Sequence, residues 1–202
     1  PRYLTRFYLM VSLGGALGSV VVGILAPLLL PADFELGGAL VFCALLLLWQ
    51  VRREPPVYGV LGLVALLVTI GCSIWAVTEF YRSTIVVSRN FYGVLRVQEV
   101  GSGGELRRQL IHGNIMHGKQ YLTKELQTQA TSYYTPDSGI GRLIESLHPR
   151  KDPIRVGVIG LGVGTLAAYG SKGDVYRFYD INPGILDIAK RDFTYLGSSD
   201  AT

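Results

Sequence analysis

Three long apolar runs fill the first 80 positions, and after Ser83 they give way to short β-branched and aromatic runs broken by glycines and polar turns. Phe7 to Leu30 carries no charged side chain over 24 positions. A helix rises about 1.5 Å per residue and needs about 20 apolar residues to cross a hydrocarbon core, so this run is long enough to span a bilayer. Val57 to Thr78 is a second charge-free run of 22 residues, and Leu36 to Val51 a shorter one of 16. The shorter run crosses by standing upright or by borrowing Phe34. The pattern predicts three membrane helices, at 7–30, 36–51 and 57–78, within a transmembrane region covering 1–80. Pro31-Ala32-Asp33 makes one turn and Arg52-Arg53-Glu54-Pro55-Pro56 the other. A buried hairpin of a soluble protein is the competing reading, but soluble cores do not need three charge-free runs of this length.

The second part of the chain reads differently. Thr84–Val87, Phe91–Val100 and Leu106–His112 are strand candidates, and Gly101-Ser102-Gly103-Gly104 between the last two is a hairpin signal. They predict a small antiparallel β domain over 83–135. Asp137 or Ser138 can cap a short helix that runs through Leu147 and ends at His148-Pro149. Ile154–Ile159 is then an apolar strand leading into Gly160-Leu161-Gly162-Val163-Gly164, with Thr165–Tyr169 opening a helix. A second strand, Val175–Tyr179, ends on Asp180, and Pro183 begins a helix reaching Arg191. Residues 136–202 therefore read as a linker helix followed by the first βαβ unit of a Rossmann-like nucleotide-binding domain. The fold class expected is a membrane α-helical part followed by an α/β part.

That unit carries the candidate chemistry. Glycines let a ligand approach the backbone at the turn, and a carboxylate at the end of the second strand accepts hydrogen bonds from ribose hydroxyls. A dinucleotide fingerprint places glycine at the sixth position, where this chain has Thr165. The G-x-G-x-G spacing instead resembles that of adenosyl-sulfonium binders, which have no pyrophosphate to cradle. Gly160, Gly162, Gly164 and Asp180 are thus the candidate cofactor residues, weighed against a chance glycine loop.

Charge changes the picture little. Residues 1–80 hold four basic and four acidic residues, so the whole net charge of +4 belongs to the later part, spread among acids. That is an ordinary solvated surface and argues against a nucleic-acid partner. Cys43 and Cys72 fall inside apolar runs without ligand spacing to a histidine, so neither a disulfide framework nor a metal site is indicated. Gly14 and Gly18, with Gly15, Ser19 and Gly23 one position on, allow another membrane helix to pack closely; glycine is also simply common in such helices. Basic residues at Arg2 and Arg52 against Asp33 and Glu35 place the N-terminus in the cytoplasm and residues from 81 outside. A cytosolic nucleotide cofactor requires the opposite, so the side of the polar part stays open. The chain starts at Pro1 with no signal-peptide pattern, and the native polypeptide is expected to begin further upstream.

Five ordered blocks resemble the spermidine synthase family, in the branch where transporter-like helices precede the synthase domain. They are Arg89 to Val97, Leu110 to Gln120, Ser132 to Gly139, Gly160 to Gly164, and Tyr179 to Pro183. The resemblance covers about residues 83–198. It implies a protein of the bacterial inner membrane, with the lipid bilayer and a larger membrane complex as its expected partners, that transfers an aminopropyl group from decarboxylated S-adenosylmethionine to a diamine. S-adenosylmethionine itself is the alternative cofactor. It also implies that Gln120, Tyr134, Asp137 and His117 lie near the substrate, although His112 and His117 read more readily as turn and core histidines packed beside Gly113 and Gly118. Two departures stand out. Tyr133-Tyr134 and Asp137-Ser138-Gly139 replace the family's acidic pair, and the catalytic aspartate and the acidic adenine contact that the family carries after later strands are not found in the sequence up to Thr202. No catalytic residue is assigned: the resemblance implies either an enzyme of which this is a part, or a non-catalytic, synthase-like accessory subunit as the competing function.

Overall fold

The structure is a computed structural model that describes residues 3–147 and 152–202. The expected cytoplasmic placement of Arg2 and the helix stop at His148-Pro149 lie outside the described residues. The chain divides into two compact units, Pro1–Arg82 with Arg89–Phe91, and Ser83–Ser88 with Tyr92–Thr202.

The first unit is helical. Helix α1 runs through Leu4–Leu29, 26 residues, and contains a π-helical turn at Val21–Leu25. That wide turn precedes Pro27, which has no N–H to give the preceding turn and crowds its carbonyls. Helix α2 is Glu35–Val51, 17 residues, and α3 is Pro56–Tyr81, 26 residues, opened by Pro56 in the first turn, where no amide donor is needed. Helices α1 and α3 are therefore long and apolar enough to cross a membrane, and α2 is shorter.

Helices α2 and α3 pair antiparallel through small residues near both ends. A Cβ on Gly37 would stand 3.2 Å from Ser73 Oγ, and one on Gly62 would stand 3.1 Å from a Leu48 methyl. The ring of Phe34 meets Phe80 edge-on at 5.2 Å between centroids, closing one end of the pair. The glycine stripe of α1 behaves otherwise. Nothing lies within 4 Å of where a Cβ would sit on Gly14, Gly15, Gly18 or Gly23, so this stripe touches no partner among the described residues.

The second unit begins with Ser83, a non-glycine residue in the left-handed region at φ 58°, where the chain turns from helix to strand. Strands β1 (Thr84–Asn90), β2 (Gly93–Val100), β3 (Arg107–His112) and β4 (Ile115–Tyr121) form one sheet in the order β1-β2-β3-β4. β2 and β3 are antiparallel with Val97 opposite Leu110, and the expected hairpin turn closes through a 3-10 turn at Gly103–Glu105. Strand β4 is an addition to the three predicted. It pairs antiparallel with β3, placing Leu110 opposite Gly118, with an irregularity between Leu110 and Ile111. Sequence pattern missed it because glycine, lysine and glutamine interrupt its alternation.

Helix α4 spans Gly139–Ser146 and is capped by Ser138, whose hydroxyl accepts from the Gly141 amide at 3.1 Å. Strands β5 (Arg155–Ile159) and β6 (Val175–Tyr179) pair parallel, Arg155 opposite Val175 and Ile159 opposite Tyr179. The helix expected between them is only a 3-10 segment, Thr165–Tyr169, because Gly170-Ser171-Lys172-Gly173 stops it after five residues. Helix α5, Pro183–Asp192, starts at Asn182, whose side chain accepts from the Gly184 amide at 3.0 Å.

One apolar core joins these pieces: Leu95, Val97 and Leu110 from the sheet, Leu161 and Val163 from the glycine turn, Ile185, Ile188 and Ala189 from α5, then Phe193 and Tyr195. The 3.6-residue period puts Ile185, Ile188 and Ala189 on one face of α5, and that face is buried. Fully burying side chains of this size stabilises by about 1.5–3 kcal/mol each, so this contact holds the glycine turn against the sheet.

Candidate functional site

The glycine turn leaves β5 in line with the sheet, since the Gly160 amide still donates to the Tyr179 carbonyl at 2.7 Å. It then folds through Gly160, Gly162 and Gly164 at φ 89°, 56° and 80°. Two glycines let the turn press on β4. A Cβ on Gly162 would lie 2.8 Å from the His117 carbonyl, and one on Gly118 would lie 2.6 Å from a Val163 methyl. The structure therefore brings His117 to the turn, which sequence alone assigned only through resemblance.

Asp180 stands where β6 ends and carries two backbone hydrogen bonds. Its Oδ2 accepts from the Leu161 amide and its Oδ1 from the Asn182 amide, both at 2.9 Å. The carboxylate ties the glycine turn to the end of β6 while remaining exposed. Each carboxylate oxygen has a second lone-pair direction, so the group keeps capacity for a ligand diol.

His112 and His117 face each other with ring centroids 5.5 Å apart, tilted by 48°. His112 Nε2 is 2.7 Å from the Tyr92 carbonyl, and a carbonyl only accepts, so the imidazole donates from Nε2. Partial burial, and then the neighbouring His112, hold the His117 imidazole below the usual histidine range, with Asp180 pulling the other way.

The remaining candidates separate. Tyr134 lies in the 3-10 segment Ser132–Tyr134, and its carbonyl accepts a short hydrogen bond from the Tyr169 hydroxyl. That bond brings the Tyr134 segment to the chain just after the glycine turn. Asp137, fully exposed, has its carboxyl held below the usual carboxylate range by the Thr135 side chain, its own backbone amide and Arg142. Gln120 is not at an open surface. It is 1% exposed, donates from Nε2 to the Gln127 carbonyl at 2.9 Å and to Thr194 Oγ1 at 2.8 Å, and accepts the Thr194 amide at 3.1 Å. Its amide is occupied as an internal tie between β4 and the segment after α5.

Tyr195 was not singled out by any sequence pattern, yet it is fully buried behind the turn, with its hydroxyl donating to the Gln129 carbonyl at 2.8 Å. Burial pushes its phenol up, with the Thr131 and Thr165 side chains opposing. No periodic signal marks it, since it follows the end of α5 in irregular chain. Beside the turn, Ile159 is 96% and Ile181 77% exposed, so apolar surface flanks the glycine turn and Asp180. Among the described residues no three His, Cys, Asp or Glu side chains gather as metal ligands.

Compared with known proteins, the chain matches no family model, no curated protein and no solved structure.

Proposed function

We propose that this is a membrane-anchored protein of the spermidine synthase type, whose glycine turn and Asp180 bind an adenosyl-sulfonium cofactor for aminopropyl transfer to a diamine. The observation that carries the reading is the turn itself: three positive-φ glycines at G-x-G-x-G spacing leave one parallel strand, and a carboxylate ends the next. β5, the turn, β6 and α5 then form the opening unit of a Rossmann-like domain. Gly160, Gly162 and Gly164 line the nucleoside, Asp180 takes the ribose, and His117, Tyr134 and Asp137 border the substrate side. Gln120 serves by bracing β4. Positioning of a neutral amine beside the sulfonium carbon is the catalytic need, and no residue is assigned to the chemical step.

Membrane anchoring is supported by the long helices α1 and α3, most of whose large apolar side chains are exposed, Phe7 at 61% and Trp75 at 67% among them. A helix that buries such a stretch in a soluble core shows the reverse. Other membrane helices are the natural partners of the Gly14/Gly18 stripe.

The second reading, a non-catalytic accessory subunit of a larger membrane complex, is favoured by the exposed Ile159 and Ile181, which suit a covering protein as well as a ligand. Titration calorimetry of the detergent-solubilised native protein with S-adenosylmethionine and its decarboxylated form separates the two. Binding that Asp180→Ala weakens supports the cofactor reading, and absence of binding to either supports the accessory subunit.

A further inference from the structure

We infer that the groove between α2 and α3 holds one phospholipid whose headgroup carries an ammonium, with hydrocarbon lying between the helices and the ammonium at Asp33. The inference rests on the membrane anchoring above and is independent of the cofactor reading.

Helices α2 and α3 touch where Gly37 meets Ser73 and again where Gly62 meets Leu48. Beside the first of these contacts they enclose a cavity of about 960 Å³, its lining drawn from residues 34–41 and 68–78, with Asp33 at the end nearest the turn before α2. The hydroxyls of Thr69, Ser73 and Thr78 belong to that lining, and each donates to a carbonyl of its own helix, those of Ala65, Thr69 and Trp75, at 2.7, 2.8 and 2.8 Å. Their donors are spent, so the cavity suits hydrocarbon rather than a polar solute.

Length separates a lipid from another helix as the occupant. At about 1.5 Å per residue, the lined stretch of α3 covers about 15 Å, half of a hydrocarbon core of about 30 Å. That is the depth of one leaflet, measured from the end where Phe34 meets Phe80. A spanning helix packs along a seam running most of its length, whereas this pair closes again at Gly62 against Leu48.

Charge at the mouth selects the headgroup. Arg89 is shared between Asp33 and Glu35, and Arg82 pairs with Glu79 at 3.4 Å, so three carboxylates face two guanidiniums. Glu35 is held by both arms of Arg89 and is largely shielded, while the Asp33 side chain is 68% exposed. The surplus negative charge therefore lies at Asp33, beside the cavity, where it attracts an ammonium and disfavours a net anionic lipid.

The experiment titrates the full-length protein, extracted in detergent, with phosphatidylethanolamine and with phosphatidylglycerol, and follows the lipid adducts by native mass spectrometry. The zwitterionic lipid should bind about fivefold more tightly than the anionic one, the scale of one charge at a membrane surface. Gly38→Leu fills the cavity from a position with nothing within 4 Å of its Cβ, and should weaken both lipids about fivefold or more. Ala76→Leu fills it from α3 and should do the same, with unchanged helical circular dichroism as the check on folding. Asp33→Asn, which leaves Arg89 its bidentate partner Glu35, should bring the two lipids within about twofold of each other. Equal affinities in the unaltered protein, a preference that survives Asp33→Asn, or binding undiminished in both filled variants would overturn the inference. A dimer mass that Gly38→Leu abolishes would overturn it too, by giving the groove to a helix of a second copy. Release of the chain from membranes by alkaline carbonate removes the membrane anchoring and the inference together, and leaves the cofactor titration untouched.

Discussion

Arg89 grips Glu35 with both arms of its guanidinium, Nη1 to Oε2 at 3.0 Å and Nη2 to Oε1 at 2.7 Å, across 54 residues of sequence. The same guanidinium donates to the Ala32 carbonyl at 2.6 Å and stands 3.1 Å from Asp33 Oδ1. With side-chain exposures of 7% and 16%, Arg89 and Glu35 are largely shielded from water, so each depends on the other. A lysine cannot reproduce the fork. In a double-mutant cycle with Arg89→Met and Glu35→Gln, unfolding of the helical unit should show a coupling of about 1–3 kcal/mol. Additive single effects would mean the pair contributes nothing.

The close approach of the glycine turn to β4 gives a second expectation. Gly162→Ala meets both a left-handed backbone and the His117 carbonyl, and Gly118→Ala meets Val163. Each should destabilise the second unit by about 1–3 kcal/mol. Gly160→Ala, with nothing within 4 Å, should cost less, chiefly through its backbone conformation. Denaturant melts of the three variants check the ranking.

Asp180→Ala should weaken adenosyl-sulfonium binding by about 1.5–3 kcal/mol, the scale of hydrogen bonds to a charged group. It should also loosen the turn, because the Leu161 and Asn182 amides lose their acceptor. Faster hydrogen exchange at those two amides is the independent readout.

Tyr195 predicts an alkaline limb of stability. Its phenol is raised in the folded protein, so the stabilisation is complete below the ordinary tyrosine value of 10.0 and is lost as pH rises through the folded value. Tyr195→Phe removes that titration and should shift the onset of alkaline unfolding upward, while losing the hydrogen bond to Gln129 at neutral pH. Circular dichroism against pH follows both effects.

If α1 and α3 lie in lipid, protease treatment of intact membranes should spare Leu4–Leu29 and Pro56–Tyr81. Cleavage inside Pro56–Tyr81 in sealed vesicles would remove the membrane assignment.

The sequence by itself determined the elements whose signal is local. Charge-free runs marked the apolar helices to within a few residues, the glycine cluster at 101–104 marked the β2–β3 turn, and Pro183 after Asn182 marked the start of α5. These follow from backbone chemistry and periodicity, which a sequence displays directly. Tertiary structure alone decided the rest. Gly118 could be read as glycine but not as the space Val163 fills, Gln120 as a polar residue but not as one closed off by Thr194, and Arg89 as a charge but not as Glu35's partner. Those roles depend on contacts between distant segments, and a position's chemistry does not reveal which neighbour packing will bring to it.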